Sequence, residues 1–361
     1  MSVMASARHR PREPESAGAG EAPIAEAAVA RSGRPPATGG SVGPEGAVVG
    51  SAVGRRCPGP GGPVMQLEIT PLPDAPLGAL VGGWEPSEPL DDAERDEILA
   101  ALHRHRVLVF RGQPQPTDDE LVGFVERFGQ PIKGSEWFRN AGALPEILPV
   151  TNIRGRDGTR LGVEGATDLE WHADYSYVAT PGKTSFLNAV ELPAEPPRTY
   201  FTDMYRAFET LDPKLQDRLR GLRATHSIAD YMAEPDKGFE AKVERDTAQG
   251  IERPAIPEAE HPVVVRHPDT GDELLYVSRG ITRRIVGMDR PESSALLKEL
   301  HLHATRPERV YAHDWEVGDL VMFDTLGTMH RRDSWDPGQR RLMRQLSTAC
   351  EVEATAPVAT T

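Results

Sequence analysis

Trp171-His172-Ala173-Asp174-Tyr175-Ser176-Tyr177 is the stretch on which the reading of this chain turns. Taken as an extended segment, it sends His172 and Asp174 to one face, because strand side chains alternate with a period of two. A neutral imidazole and a carboxylate projecting together are two ligands for a divalent transition metal, and a third must come from elsewhere. Two histidines and one carboxylate that leave other positions open are the ligand set of non-heme Fe(II) oxygenases. His-x-Asp alone is a common tripeptide and carries little weight. Its weight comes from what stands far downstream, His330 and then Arg341. Oxygen activation at such a centre needs electrons, which a 2-oxoacid supplies by decarboxylating. The far carboxylate of a 2-oxoacid needs a fixed anion partner, and arginine offers a planar two-pronged fork. A hydroxyl commonly completes that clamp, and Thr199 lies between the two halves of the motif.

The 361 residues carry 55 acidic and 41 basic side chains, a net charge of -14. That length holds one large domain or two ordinary ones. The acidic balance argues against nucleic acid or an anionic membrane surface as partner, since both call for basic patches. No apolar run approaches the roughly 18 residues of a membrane span. The basic start (Arg8, His9, Arg10, Arg12) lacks the apolar core of a secretory signal. Cys57 and Cys350 are the only cysteines, which fits a reducing cytoplasm rather than a disulfide framework.

Residues 1–64 are dominated by Ala, Gly, Pro, Ser and Glu and hold too little apolar surface to offset ordering entropy. They are expected to be a disordered extension, with Met65 an alternative start immediately before the first patterned segment. Residues 91–106 read as a helix with Ile98, Leu99 and Leu102 on one stripe. Residues 107–110 read as a short buried strand. Thr117 and Glu120 stand at capping-box spacing for a second helix reaching Gly129. Residues 130–170 read as loop, with a strand at 147–152 and a turn at 156–158. Short strands are expected at 172–177, 184–191 and 198–203, then a helix pair at 204–211 and 213–222. The charged, Pro- and Gly-rich residues 232–260 read as an insertion, either a lid or a solvated excursion. Strands at 263–267 and 274–277, a helix at 291–304, strands at 320–323 and 341–350, and a flexible tail at 351–361 complete the chain. The expectation is one domain over 65–350, mainly β with flanking helices, around a double-stranded β-helix (jelly-roll, cupin-like) core.

The order of these pieces closely resembles the taurine dioxygenase / chlorophenoxyacetate dioxygenase (TauD/TfdA) family of Fe(II)- and 2-oxoglutarate-dependent oxygenases. The segments that carry it include Val107-Leu108-Val109-Phe110-Arg111-Gly112-Gln113, Glu170-Trp171-His172-Ala173-Asp174, Gly318-Asp319-Leu320-Val321-Met322-Phe323-Asp324 and Met329-His330-Arg331-Arg332-Asp333, running on to Arg340-Arg341-Leu342-Met343. The resemblance implies Fe(II) held by His172, Asp174 and His330, and 2-oxoglutarate held by Thr199 and Arg341. It places Trp137, Asp168 and Tyr175 at or beside substrate positions, with Arg279 and Ile281 in a loop reaching the same mouth. The implied reaction consumes O2 and 2-oxoglutarate, releases succinate and CO2, and oxidises an unactivated C–H bond of a small molecule. Hydroxylation is the default outcome, with desaturation, epoxidation and ring rearrangement as variants.

Departures from the family pattern bear on the substrate. Pro196-Pro197-Arg198-Thr199 stands where many members read Gly-Gly-Asp-Thr, and Phe323-Asp324-Thr325-Leu326 where many read Trp-Asp-Asn-Arg. The taurine enzymes carry a sulfonate-binding arginine at the position of Gln345 and a histidine at that of Gly134. A larger or less charged molecule than taurine, such as a natural-product intermediate, is therefore expected. The remaining histidines read as structural: His103 and His105, like His301 and His303, are two apart on helices and diverge. His226, His261, His267 and His313 lack a carboxylate at strand spacing. Alternation puts Arg340 and Arg344 on the face opposite Arg341. The rivals are a non-catalytic metal-binding jelly roll, a zinc hydrolase, and a catabolic dioxygenase of a small organic acid. Homo-oligomerisation is left open.

Overall fold

Capping chemistry sets where the first helices begin. In α1 (Asp92–His105), Asp91 accepts the Glu94 N–H at 2.8 Å while Glu94 accepts the Asp91 N–H at 2.9 Å. The same reciprocal box, Thr117 with Glu120, opens α2 (Asp118–Glu126). Both boxes satisfy N–H groups that a helix start leaves unpaired. These elements belong to a computed structural model that divides the chain into Met1–Gly61 and Gly62–Thr361. It describes residues 67–133, 144–156, 158, 161–163, 165–230 and 256–350. The expected disordered extension, most of the 232–260 insertion, the C-terminal tail, Cys57, Gly134 and Trp137 lie outside the described residues.

The fold is mixed β/α with substantial sheet. β1 (Glu68–Pro71) and β2 (Ala79–Gly82) precede α1, and β3 (Val107–Phe110) separates the two capped helices. Then come β4 (Leu148–Thr151), β5 (Leu169–His172), β6 (Gly182–Glu191) and β7 (Thr199–Asp203). The helix pair α3 (Met204–Glu209) and α4 (Pro213–Arg220) follows, each capped by an aspartate, Asp203 and Asp212. β8 (Arg223–Ser227), β9 (Glu258–Pro262), β10 (Val264–Arg266), β11 (Glu273–Leu275) and β12 (Thr282–Ile285) lead to the helix α5 (Arg290–Ala304). The last strands are β13 (Val310–His313), β14 (Leu320–Asp324), β15 (Thr328–Arg332) and β16 (Leu342–Ala349).

One sheet has seven strands in the order β1-β2-β3-β14-β6-β16-β4, and a second has four, β13-β7-β15-β5. Period-two alternation explains how the larger sheet is covered on both faces. Leu108, Phe110, Phe186, Leu320 and Met322 point to α1 and α2, where Ile98, Leu102, Leu121, Phe124 and Val125 meet them. Val107, Val109, Leu187, Val321, Phe323 and Met343 point the other way and pack with Phe201 of the four-stranded sheet. The outer face of that second sheet, through Trp171 and Met329, packs on α3, α4 and α5. The two sheets therefore face each other, with a helical layer outside each.

Several expectations change. The strand expected at 172–177 is β5, which ends at His172; residues 174–177 form a turn. The insertion expected to reach residue 260 stops short of β9, which pairs antiparallel with β8. β9 alternates exposed Glu258 and Glu260 with buried Ala259 and His261, a period-two pattern without large apolar residues to announce it. Arg341 sits just before β16 rather than within it. Among the described residues, no helix is long and apolar enough to cross a membrane.

Phe124 anchors the helix-covered face, with its ring 4.4 Å from that of Trp84 and 5.4 Å from that of Phe110. Phe124→Ala should cost about 3–5 kcal/mol of stability, measured by urea unfolding. A cost under about 1 kcal/mol would show that α2 is not part of the cooperative core.

Candidate metal centre and its cavity

The chain turns as soon as β5 ends, and Tyr175 takes φ 55°. A bulky residue enters that left-handed region only where its surroundings hold it, at a cost on the order of 1 kcal/mol. This turn, and not strand alternation, brings Asp174 back beside His172. The second histidine comes from β15, where His330 is the register partner of His172. His172 Nε2 lies 3.5 Å from Asp174 Oδ1, and His330 Nε2 lies 3.8 Å from Asp174 Oδ2. The two imidazole rings are 4.1 Å apart.

Protonation states follow from the partners. His172 Nδ1 is 2.7 Å from the Glu170 carbonyl oxygen. A carbonyl only accepts, so Nδ1 carries the proton and Nε2 is the nitrogen turned to the centre. Burial, aided by His172, pushes His330 down to about 3, so it is neutral near pH 7. Burial works against charge on Asp174 as well, but His330, His172 and Gln345 outweigh it and hold the carboxyl below its ordinary range. The result is two imidazoles and one carboxylate, with donor atoms within 4.8 Å of one another. That donor set fits a divalent first-row ion with free positions.

The centre lies in a cavity of about 420 Å³ to which both sheets contribute. One end holds Thr199, Arg341 and Arg332, all at least nine-tenths buried. Trp315 Nε1–H donates to Thr199 Oγ1 at 2.9 Å, which leaves the hydroxyl proton of Thr199 for an acceptor in the cavity. Arg341 is held through its backbone: Thr151 Oγ1–H donates to its carbonyl at 2.6 Å, and its N–H donates to Asn152 Oδ1 at 3.0 Å. The guanidinium groups of Arg341 and Arg332 lie 5.3 Å and 4.4 Å from the Trp335 ring centroid. Tyr175, Tyr177, Ile228 and Ile281 pack together in another part of the lining, and Leu148, Val150, Val163 and Leu187 also line it. At the mouth the cations are matched by acids, Arg279 with Glu170 at 3.4 Å and Arg283 in a close ion pair with Asp230.

Every described residue singled out from sequence lines this one cavity: His172, Asp174, His330, Thr199, Arg341, Asp168, Tyr175, Arg279 and Ile281. Asp168 also accepts the Ser334 N–H at 2.6 Å. Sequence reasoning did not select Arg332, although it stands two residues past His330 on the same strand and so shares its face. It also missed Tyr177, at the end of the stretch that holds His172 and Asp174, and Ile228 and Arg283, whose positions carry no local motif. Arg340 pairs outside with Glu191, and Arg344 is buried against Asn188 and Asp118, away from the cavity. His313, read as structural, packs between Tyr311 and Asp319.

A second grouping, His103, His267 and Asp269, also brings three ligand-type side chains together. The Lys183 ammonium already stands 2.8 Å from Asp269, and His267 Nδ1 accepts the N–H groups of Asp269 and Thr270. Those partners neutralise the grouping from within the chain. His103 thus has neighbours that its helix spacing did not announce.

The profile of the taurine catabolism dioxygenase TauD, TfdA family matches residues 68–346. Pentalenolactone F synthase from Streptomyces avermitilis is 39% identical over 291 residues, 78% of this chain and 94% of the relative. The 2,4-dichlorophenoxyacetate dioxygenase of Cupriavidus pinatubonensis is 33% identical over 72% of this chain and 90% of its own length. Among solved structures, a taurine dioxygenase from Burkholderia xenovorans aligns with TM-score 0.64 at 30% identity, covering 79% of this chain and 90% of its own. A structure of AAD-2 with Mn(II) and N-oxalylglycine aligns with TM-score 0.62 at 28% identity, covering 81% and 100%.

The convergence of three donors predicts that the protein takes up one Mn(II) ion. Asp174→Ala should weaken that uptake by at least 100-fold, followed by the EPR signal of free Mn(II). Unchanged uptake in the variant would place the ion elsewhere.

Proposed function

The chain belongs to the taurine catabolism dioxygenase TauD, TfdA family, and on that premise we propose how its residues divide the work of an Fe(II)/2-oxoglutarate-dependent dioxygenase acting on a small organic substrate. His172, Asp174 and His330 hold the iron. Thr199 and Arg341 hold the far carboxylate of 2-oxoglutarate, the arginine through its planar fork and the threonine through the hydroxyl proton that Trp315 leaves free. Arg332 adds positive charge at the same end of the cavity. Bound there, Fe(II) supplies reductive activation of O2 at the expense of 2-oxoglutarate, which leaves as succinate and CO2.

The substrate lies against Tyr175, Tyr177, Ile228 and Ile281. Asp168 and Arg279 stand at its edge. The mouth offers cations that already have acidic partners, and Gln345 is neutral, so the site favours a substrate whose reacting end is apolar. A natural-product intermediate fits this better than a small sulfonate. The 39% identity to an enzyme named for making pentalenolactone F supports that class. In this reading the two facing sheets form the double-stranded β-helix of a jelly roll, with the metal between them, and the cysteine usage fits the cytoplasm. The observation that carries the reading is a buried arginine and hydroxyl in the same cavity as a two-histidine, one-carboxylate centre.

Titrating 2-oxoglutarate against variants tests it. Losing a charge-assisted paired contact costs on the order of 2–4 kcal/mol, roughly 30- to 1000-fold. Arg341→Ala should raise the 2-oxoglutarate requirement by that factor, Arg341→Lys by less, and Thr199→Val by roughly 5-fold. Arg340→Ala, outside the cavity, should leave it unchanged. An insensitive Arg341 would overturn the assignment of this end of the cavity.

A further inference from the structure

Gln345 touches the metal centre without belonging to the ligand set. It stands in the middle of β16, paired with Leu148 of β4 on one side and Leu187 of β6 on the other. A strand held from both sides is a rigid base for a side chain. Alternation with Met343 sends Gln345 to the inner face, into the cavity. Its Nε2 lies 2.6 Å from Asp174 Oδ2. An ionised carboxylate has acceptors only, so the amide must present its N–H₂ end here and not its carbonyl.

Asp174 gets little support from its own backbone. It follows the last residue of β5 and precedes the left-handed Tyr175, so no ladder fixes it. The hydrogen bond from Gln345 crosses from the opposite sheet and holds one of its two carboxylate oxygens. The other, Oδ1, faces His172 Nε2 at 3.5 Å.

We propose that Gln345 is a positioning residue that occupies Asp174 Oδ2, so that Asp174 binds the metal ion through Oδ1 alone. This rests on the reading of His172, Asp174 and His330 as the ligands. The chemistry of an amide suits the task. It donates strongly to a carboxylate yet adds no charge, so it does not compete with the cation. A glutamate here would repel Asp174. A carboxylate kept to one oxygen leaves a metal position free for cosubstrate and oxygen, which the reaction needs.

Mn(II) titration of the wild type, Gln345→Leu and Gln345→Met tests this, with melting of the metal-free proteins as the check on fold. Met keeps the length of the side chain, Leu falls one atom short of it, and both lose the donor. The expected result is Mn(II) affinity lowered about 10- to 100-fold, the usual cost of losing a group that orients a ligand, with melting temperatures of the metal-free proteins unchanged. A crystal structure of the wild-type Mn(II) complex should show one Asp174 oxygen on the ion and the other on Gln345. Wild-type affinity in both variants overturns the proposal. So does a wild-type complex with both Asp174 oxygens on the ion, or a loss of affinity matched by a fall in metal-free stability. If the wild type itself takes up no Mn(II), the ligand assignment fails first and the proposal with it.

Discussion

The register between β5 and β15 is the constraint on which the site depends. His330 opposes His172 only because β15 lies between β7 and β5 in one particular pairing. A one-residue slip would turn His330 to the outer face and bring Arg331 inward, since side chains alternate strictly along a strand. The outer face resists that slip. Trp171 and Met329, the immediate neighbours of the two histidines, are buried among α3, α4 and α5. Arg331 lies 3.7 Å from the Tyr200 ring centroid and pairs with Asp333 on that side. The helical layer is thus part of how the metal centre is set.

Buried arginines and a threonine hydroxyl share one cavity with a cluster of tyrosines and isoleucines and with the His172, Asp174 and His330 grouping. In the proposed reading, a dicarboxylate cosubstrate takes the first set of groups and the substrate the second. Burial strengthens the contacts of the first set, because a guanidinium out of water gains more from a carboxylate than an exposed one does. The two cations at the mouth gain little from their partners. Arg279 and Glu170 are both largely exposed, and such pairs contribute about 0–1 kcal/mol.

The sequence was legible where local chemistry decides structure. The capping box at Thr117 and the short buried strand β3 follow from local pattern alone. The grouping of His172, Asp174 and His330 was also legible, but strand alternation is not what brings Asp174 into it. It converges with His172 through a turn that nothing in the His-x-Asp spacing reveals. β8 was missed because Thr225, His226 and Ser227 fill its buried positions, and β9 and β12 because polar and charged residues fill their exposed ones, so no apolar run marks them. The neutrality of Gln345 was visible in the sequence, whereas its bond to Asp174 depends on two sheets facing each other, which one-dimensional spacing cannot encode. Trp315 stands in the same position, far from Thr199 in the chain and 2.9 Å from its hydroxyl in the fold.

The most direct test of the account is to supply 2-oxoglutarate, Fe(II) and air, with a panel of natural-product substrates, and to measure succinate and CO2 together. The account predicts equal amounts of both, stimulated by a substrate with an apolar reacting end, and lost on omitting Fe(II) or in Asp174→Ala. Succinate release that persists in Asp174→Ala, or turnover supported by Zn(II) without 2-oxoglutarate, would contradict it.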